Sequence, residues 1–125
     1  MTNAVIVDAV RTPVGRRNGV FKDYHPVDLA SRPLEALVER NGIDPSLIDD
    51  VIMGTVSQTG EQAYNVGRNA ALAAGYPEEV PGVTIDRQCG SSQQSAHFAA
   101  QAIMADAQDV VVAAGVENMT RVPMG

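Results

Sequence analysis

The sequence alternates apolar, β-branched runs with segments whose apolar residues recur every three or four positions, and this alternation limits the folds open to the chain. Two runs, NAVIVDAV at 3–10 and DVVVAAGV at 109–116, are apolar at successive positions, which is typical of strands buried on both faces of a parallel sheet. The order of the elements predicts an α/β fold with a mostly parallel sheet and right-handed connections. Strands are predicted at 3–10, 51–58, 83–86 and 109–116, and helices at 27–41, 65–75 and 91–107.

The first predicted helix contains an internal proline. Its apolar residues form a single stripe, and Gly42 is a suitable residue to end it. Pro33 removes one backbone donor from this stripe, so the sequence predicts either a kink at Pro33 or a helix that effectively starts at Ser31.

The third predicted helix has almost no polar face. Most residues between 96 and 107 are alanine, phenylalanine, isoleucine or methionine. A helix that is apolar nearly all round is expected to be covered on every side, here between two sheets. Since 125 residues can hardly supply both layers, part of the cover is expected from further chain or from another subunit.

Length and charge narrow the class of protein. The 125 residues suffice for one domain or a part of one, and 9 Lys and Arg against 15 Asp and Glu give a formal charge of -6. This charge argues against binding to nucleic acids or anionic membranes. The sequence has no apolar run long enough for a membrane span and no leader-like start, so we expect a cytoplasmic protein.

A single cysteine stands between the third predicted strand and the third helix, in the segment TIDRQCGSS. One cysteine and two histidines exclude an internal disulfide and argue against a metal site. A strand-to-helix corner is where nucleophile elbows present a reactive side chain, and the start of a helix favours a thiolate and can bind an oxyanion. Cys89 is therefore a candidate nucleophile for acyl transfer through a thioester, and the alternative is a buried structural cysteine.

Several other polar residues are candidates for chemical roles. His25 is expected to make a loop or helix-cap contact, and His97 to be a core or interface histidine, rather than either being catalytic. A cluster of three arginines at 11, 16 and 17 could bind phosphate, although a solvated loop or subunit contact is favoured. Structural hydrogen bonding is expected of Asn65 and Arg68, and a scaffold role of residues 117–119.

Four segments together resemble the amino-terminal portion of the thiolase family, the acetyl-CoA acetyltransferases and 3-ketoacyl-CoA thiolases. They occur in the family's order and spacing, and the similarity covers essentially the whole chain: VDAVRTPVG, GEQAYNVGRNAALAAG, DRQCGSSQQSAHFAAQAI and DVVVAAGVENMTR. The resemblance implies a layered αβαβα fold with a buried central helix, of which residues 1–125 are the amino-terminal part of the N-terminal domain. Arg87 and Gln88 resemble the degradative type of enzyme, whereas Ser92 stands where many members have glycine, which leaves the subclass open.

The resemblance also implies a reaction. Cys89 would accept the acyl group of a 3-ketoacyl-CoA, with its own backbone N–H as one oxyanion donor, and CoA would then take up the acyl group; the reverse is a Claisen condensation. No cofactor is implied, because CoA and acyl-CoA are substrates. The family's later motifs, Asn-Glu-Ala-Phe, Gly-His-Pro and Cys-x-Gly, are missing, so the chain corresponds to roughly a third of a thiolase and lacks its acid/base groups.

Two alternatives to a thiolase enzyme remain open. One is a β-ketoacyl synthase that acts on acyl-carrier-protein thioesters, which the VDAVRTPVG opening disfavours. The other is a non-catalytic thiolase-like subunit that binds acyl-CoA or supports a partner carrying the missing motifs. The resemblance implies a homodimer or homotetramer as the assembly, and the isolated 125 residues are expected to associate through an unpaired sheet edge and an apolar patch around the third helix.

Overall fold

The computed structural model describes residues 2–125, which form a parallel sheet covered by helices on both faces. The three strands pair in the order β2-β1-β3, and both pairings are parallel. The α/β fold and parallel sheet predicted from the sequence are therefore confirmed. The elements are β1 (Asp50–Gly54), β2 (Gly82–Ile85), β3 (Val111–Gly115), α1 (Pro26–Asn41), α2 (Val66–Ala73) and α3 (Ser91–Met104), with short 3-10 turns at Pro45–Leu47 and Gly60–Gln62.

Alternate residues of the central strand face opposite layers. Val51 and Met53 belong to the main apolar cluster with residues of α1 and α2, and a side chain at Gly67 of α2 would meet Met53. Gly54 instead faces the start of α3. Since successive side chains of a strand point to opposite faces, α1 and α2 cover one face of the sheet and α3 covers the other.

The predicted strand at 3–10 is wrong for this structure. Residues 2–16 have no regular secondary structure, and the side chains of Val5, Ile6 and Val7 are 74–89% exposed. A strand requires a neighbour for its backbone N–H and C=O groups, and no described strand lies beside this run. Asp8 instead contacts the end of α1, through Arg40 and Asn41.

Helix α1 contradicts one of the two expectations about its proline, the start at Ser31. The helix begins at Pro26, not at Ser31, and Pro33 lies within it. Pro26 occupies the first helical position, where a missing N–H costs nothing. His25 supplies the cap, because its Nδ1 accepts a hydrogen bond from the backbone N of Val27 at 3.2 Å. The helix ends at Gly42 in the left-handed conformation, as predicted.

The other elements are confirmed, β2 shifted by one residue to Gly82–Ile85 and the rest with shorter bounds. The strand predicted at 51–58 ends at Gly54, since the backbone beyond it turns away to bind a side chain from another segment. Helix α3 ends at Met104 rather than at 107, because Asp106 has a positive φ of 55° and the N–H of Ala107 returns to Ala102 O.

Helix α3 is not covered on every side within residues 2–125. Its buried residues are Ser91, Ser95 and Ala99, which lie four positions apart on the face toward the sheet. Phe98 and Met104 are 39% and 41% exposed. The expected second layer over this helix is thus absent from the described residues, and its presence elsewhere stays a prediction.

Candidate active site

Cys89 lies in the tight turn that joins β2 to α3 at the carboxyl end of the sheet. Cys89 is exposed among residues 2–125, so nothing in this part of the chain buries it as a structural cysteine. The turn is closed by backbone bonds on either side of the cysteine, from Gly90 N to Arg87 O and from Ser91 N to Gln88 O, each at 3.0 Å. These bonds fix the turn that carries Cys89, and the residue is exposed to solvent.

The hydroxyl of Ser91 reinforces this turn. Its Oγ accepts a hydrogen bond from Arg87 N at 2.9 Å and donates one to Gln88 O at 2.6 Å. Gln88 has a φ of 46°, a left-handed conformation that is uncommon for a residue with a side chain. The carboxylate of Asp86 accepts from Gln88 N at 2.7 Å and stabilises this conformation. The sequence alone does not indicate this role of Ser91.

The start of α3 rests directly on the ends of two strands. A Cβ built on Gly54, the last residue of β1, would lie 2.4 Å from the backbone of Ser91 and Ser92. A Cβ on Gly115, the last residue of β3, would lie 2.6 Å from Ser92 Cβ. We call Gly54 and Gly115 the glycine seat. Because neither residue has a side chain, the first turn of α3 packs against the strand backbones and fixes where Cys89 stands.

The N-terminus of α3 lies directly after Cys89, as the sequence predicted. No side chain caps it, since its N-cap residue is Gly90. The first N–H groups of a helix carry a partial positive charge, which favours an anion at this end. An exposed thiol placed just before such a terminus has the setting of a nucleophile, whose developing oxyanion would find donors nearby.

The segment after β3 is a scaffold, as expected. Glu117 accepts hydrogen bonds from Val56 N at 2.8 Å and Ser57 N at 3.2 Å. Gln62, fully buried, donates to Glu117 at 2.9 Å and accepts from Asn118 N at 2.8 Å. These bonds join the loop after β1 to the loop after β3. Met119 is exposed, so the scaffold bonds of residues 117–119 are those of Glu117 and Asn118.

An ion pair joins the 3-10 turn Gly60–Gln62 to the segment after β3. Arg121 makes a bidentate contact with Glu61, with both N to O distances at 2.6 Å. The hydrogen bonds from Arg121 hold the pKa of the Glu61 carboxyl below its usual value. Both groups are partly exposed, so the pair orders the loops more than it stabilises the fold.

Neither histidine is brought into an acid/base arrangement with Cys89. His25 caps α1 through its ring nitrogen, which confirms the predicted cap contact. His97 lies on α3, six residues past Ser91, and is exposed rather than buried in the core. At a rise of about 1.5 Å per residue, that places it about 9 Å along the helix axis from the first turn. The described residues therefore supply the thiol without a proton-transfer partner.

Among the remaining candidate residues, Asn65 and Arg68 make structural contacts, whereas the role of the three arginines stays untested. Asn65 caps α2 and binds Thr84 and Gly82 O, while Arg68 donates to two backbone carbonyls, so both are structural as predicted. The arginines at 11, 16 and 17 are exposed and form no ion pair among residues 2–125. Whether they bind phosphate or only solvent stays a prediction.

Two structural features are absent from residues 2–125, a cluster of metal-ligating side chains and a membrane-spanning helix. No group of three or more His, Cys, Asp or Glu side chains there is placed to hold a metal ion. No helix within residues 2–125 combines the length and apolar character needed to cross a bilayer.

Two features of the site were missed by sequence reasoning. The first is Gln62, a buried amide in a loop, which no periodicity marks. The second is the glycine seat, although the sequence does contain a pattern that indicates it. The strand sequences DVIMG and VVAAG both end in glycine before a loop. Strands that end in glycine at the same level of a sheet indicate that another backbone approaches there.

The fold and the site define the class of protein to which the chain belongs. It is a parallel α/β protein that presents one exposed thiol at a strand-to-helix turn, above the carboxyl ends of its strands. The sequence matches the family described as the thiolase N-terminal domain over residues 4–125. The chain therefore belongs to the thiolase family.

Individual relatives agree with this assignment. The chain is 56% identical over 124 residues to the steroid 3-ketoacyl-CoA thiolase FadA6 of Mycobacterium tuberculosis, covering 99% of this chain and 30% of that protein. It is 52% identical over 126 residues to a 3-ketoacyl-CoA thiolase of Pseudoalteromonas translucida, covering 99% and 32%. The chain thus spans about a third of the length of these curated relatives.

A solved structure supports the fold. The acetyl-CoA acetyltransferase of Bacillus anthracis superposes with a TM-score of 0.90 at 46% sequence identity, covering 96% of this chain and 30% of that one. The expected thiolase-like fold is confirmed by this match, to the extent that the chain covers it.

Proposed function

We propose that this chain carries the acyl-accepting thiol of a thiolase, and that Cys89 is that thiol. The observation that carries the proposal is the exposed Cys89, held by the Ser91-closed turn at the uncapped start of α3. The family assignment supports the reaction class, since the relatives are named 3-ketoacyl-CoA thiolases and acetyl-CoA acetyltransferase. These names favour an enzyme over a non-catalytic acyl-CoA-binding subunit.

In the proposed reaction, the Cys89 thiolate attacks the 3-keto carbon of a 3-ketoacyl-CoA. The carbon-carbon bond to C2 breaks, its electron pair passes to C2, and a proton delivered to C2 completes the departing acetyl-CoA. The acyl group stays on sulfur as a thioester until the thiol of CoA attacks it, which restores the cysteine. The reverse sequence joins two acyl-CoA molecules by Claisen condensation.

The chain's own residues would contribute positioning and charge stabilisation. The turn at Arg87 to Ser91 fixes the sulfur, and the backbone N–H of Cys89 is proposed as one donor to the oxyanion that forms on the attacked carbonyl. The proton donor and acceptor are proposed to come from outside residues 2–125, because neither histidine here is placed for the task. We further propose that the reaction takes place in the cytoplasm with CoA as substrate and with no separate cofactor.

The partner that supplies the proton-transfer groups is either further chain or another subunit. Residues 1–125 are proposed to form the amino-terminal part of a thiolase N-terminal domain, within a homodimer or homotetramer. The apolar outer face of α3, with Phe98 and Met104 exposed, is consistent with such cover.

The test uses protein produced from the complete open reading frame. Thiolysis of acetoacetyl-CoA is measured for the natural protein and for Cys89→Ser, which changes one atom of the side chain. The proposal expects loss of turnover in the variant with an unchanged circular dichroism spectrum. Turnover retained by Cys89→Ser would exclude the cysteine as the acyl acceptor.

A further inference from the structure

The backbone ladder between β1 and β3 stops directly at the glycine seat. Gly54 and Gly115 are register partners, and the last ladder bond runs from Val116 N to Gly54 O at 3.0 Å. Beyond this bond, the segments that follow β1 and β3 leave the sheet. No backbone hydrogen bond joins Val56 to Glu117. Strand ends without further pairing are free to separate unless another group holds them together.

The carboxylate of Glu117 takes over where the ladder stops. Its Oε2 accepts from Val56 N at 2.8 Å, and its Oε1 accepts from Ser57 N at 3.2 Å and Gln62 Nε2 at 2.9 Å. All three partners are donors, which suits a carboxylate with two accepting oxygens. An amide at this position would turn an NH2 group toward at least one donor, and that donor would lose its acceptor.

These contacts lie two residues beyond each half of the glycine seat. Val56 follows Gly54 by two positions, and Glu117 follows Gly115 by two positions. The seat in turn contacts Ser91 and the following residue, at the start of α3. A change in the spacing of the strand ends would therefore be transmitted to the first turn of α3 by backbone contact, with no flexible side chain to absorb it.

We infer that Glu117 is a positioning residue for the thiol: its carboxylate clamps the ends of β1 and β3 and so fixes the seat on which the turn of Cys89 rests. This inference builds on the proposed function, since it assigns a kinetic role to Glu117 in the same acyl transfer. Displacement of a reacting group by about 1 Å can lower a rate about 100-fold, so a clamp of this kind has a measurable effect on turnover.

The experiment compares Glu117→Gln with the natural protein, both produced from the complete open reading frame. The variant keeps the shape of the side chain and removes one acceptor oxygen. We expect kcat for thiolysis of acetoacetyl-CoA to fall about 10- to 100-fold, with KM unchanged, and the rate of Cys89 acetylation by acetyl-CoA to fall in parallel. Glu117→Asp keeps the charge with a shorter reach, and its kcat should lie between the two.

A control separates positioning from loss of stability. Tyr76→Phe removes a buried hydrogen bond on the opposite face of the sheet, from the Tyr76 hydroxyl to Leu34 O, and should leave kcat unchanged. Natural kcat in Glu117→Gln overturns the inference, as does an equal fall of kcat in Tyr76→Phe at equal loss of stability. If Glu117→Gln fails to fold, the Asp variant decides by the same comparison. Turnover of Cys89→Ser is measured alongside. Its loss supports the proposed function independently of the result for Glu117.

Discussion

Replacement of Gly54 by alanine tests whether the glycine seat sets the place of the thiol. The added Cβ would lie 2.4 Å from both Ser91 C and Ser92 N, and 2.7 Å from Ser91 O. All three are backbone atoms, so no side chain can rotate away. Since ordinary contact begins at 3.4 Å, the first turn of α3 must move outward by about 1 Å, or the strand must yield by as much.

The expected magnitudes follow from this displacement. Forcing an extra methyl group into a closely packed contact costs about 1 to 3 kcal/mol of folding free energy. Moving the turn of Cys89 by about 1 Å is expected to lower kcat up to about 100-fold. The φ of Gly54 does not lie in the left-handed region, so the cost arises from the steric contact and not from backbone strain.

The assay measures urea unfolding and thiolysis kinetics on protein from the complete open reading frame. Gly90→Ala is the matched control for stability, because a Cβ there would lie 3.4 Å from its nearest contact, Arg87 O, and φ is -96°. Because Gly90 is the N-cap of α3, where alanine is less favourable than glycine, we expect the control to lower the free energy of unfolding by about 1 kcal/mol or less. Natural stability and natural kcat in Gly54→Ala would refute the argument that the strand ends position the thiol.

Three further predictions concern the stability of the fold and its association. Gln62→Leu leaves Asn118 N and other buried groups without hydrogen-bond partners, and should lower the free energy of unfolding by about 2 to 4 kcal/mol in urea titrations. A loss below about 0.5 kcal/mol would show that the hydrogen bonds of Gln62 do not stabilise the fold. Burial raises the pKa of Tyr76 from 10.0 to about 12. The stability that its protonated form contributes is therefore complete below pH 10 and lost as the pH rises toward 12, so Tyr76→Phe should flatten the alkaline loss of stability; an identical pH profile would contradict this. The isolated 125-residue polypeptide should associate through the edges of β2 and β3 and the outer face of α3, and a monodisperse monomer in light scattering would count against it.

The sequence was sufficient to predict most of the helices and strands because their signals are local. Asn65 before α2 and Gly42 after α1 have side chains or backbone freedom suited to helix ends, and both act there. The apolar run at 109–116 became β3 because a neighbouring strand was available. The equally apolar run at 3–10 did not form a strand, which shows that strand formation depends on a partner that the run itself does not encode.

The candidate site was predictable in part for the same reason. Cys89 was found from its position between a strand and a helix, both of which are short-range signals. The contact of Glu117 with Val56 joins residues 61 positions apart, and the fully buried Gln62 lies in a loop without periodicity. Long-range hydrogen bonds of this kind follow from the register of β1 and β3, which no local pattern specifies.

The most direct test of the account is the chemical identity of the acyl acceptor. Protein from the complete open reading frame is incubated with acetyl-CoA, quenched in acid, digested and mapped by mass spectrometry. The account predicts the mass of one acetyl group on the peptide that contains Cys89, and removal of that group when CoA is added before the quench. An enzyme that turns over acetoacetyl-CoA while Cys89 stays unmodified, or while the acetyl group lies on another residue, would contradict it.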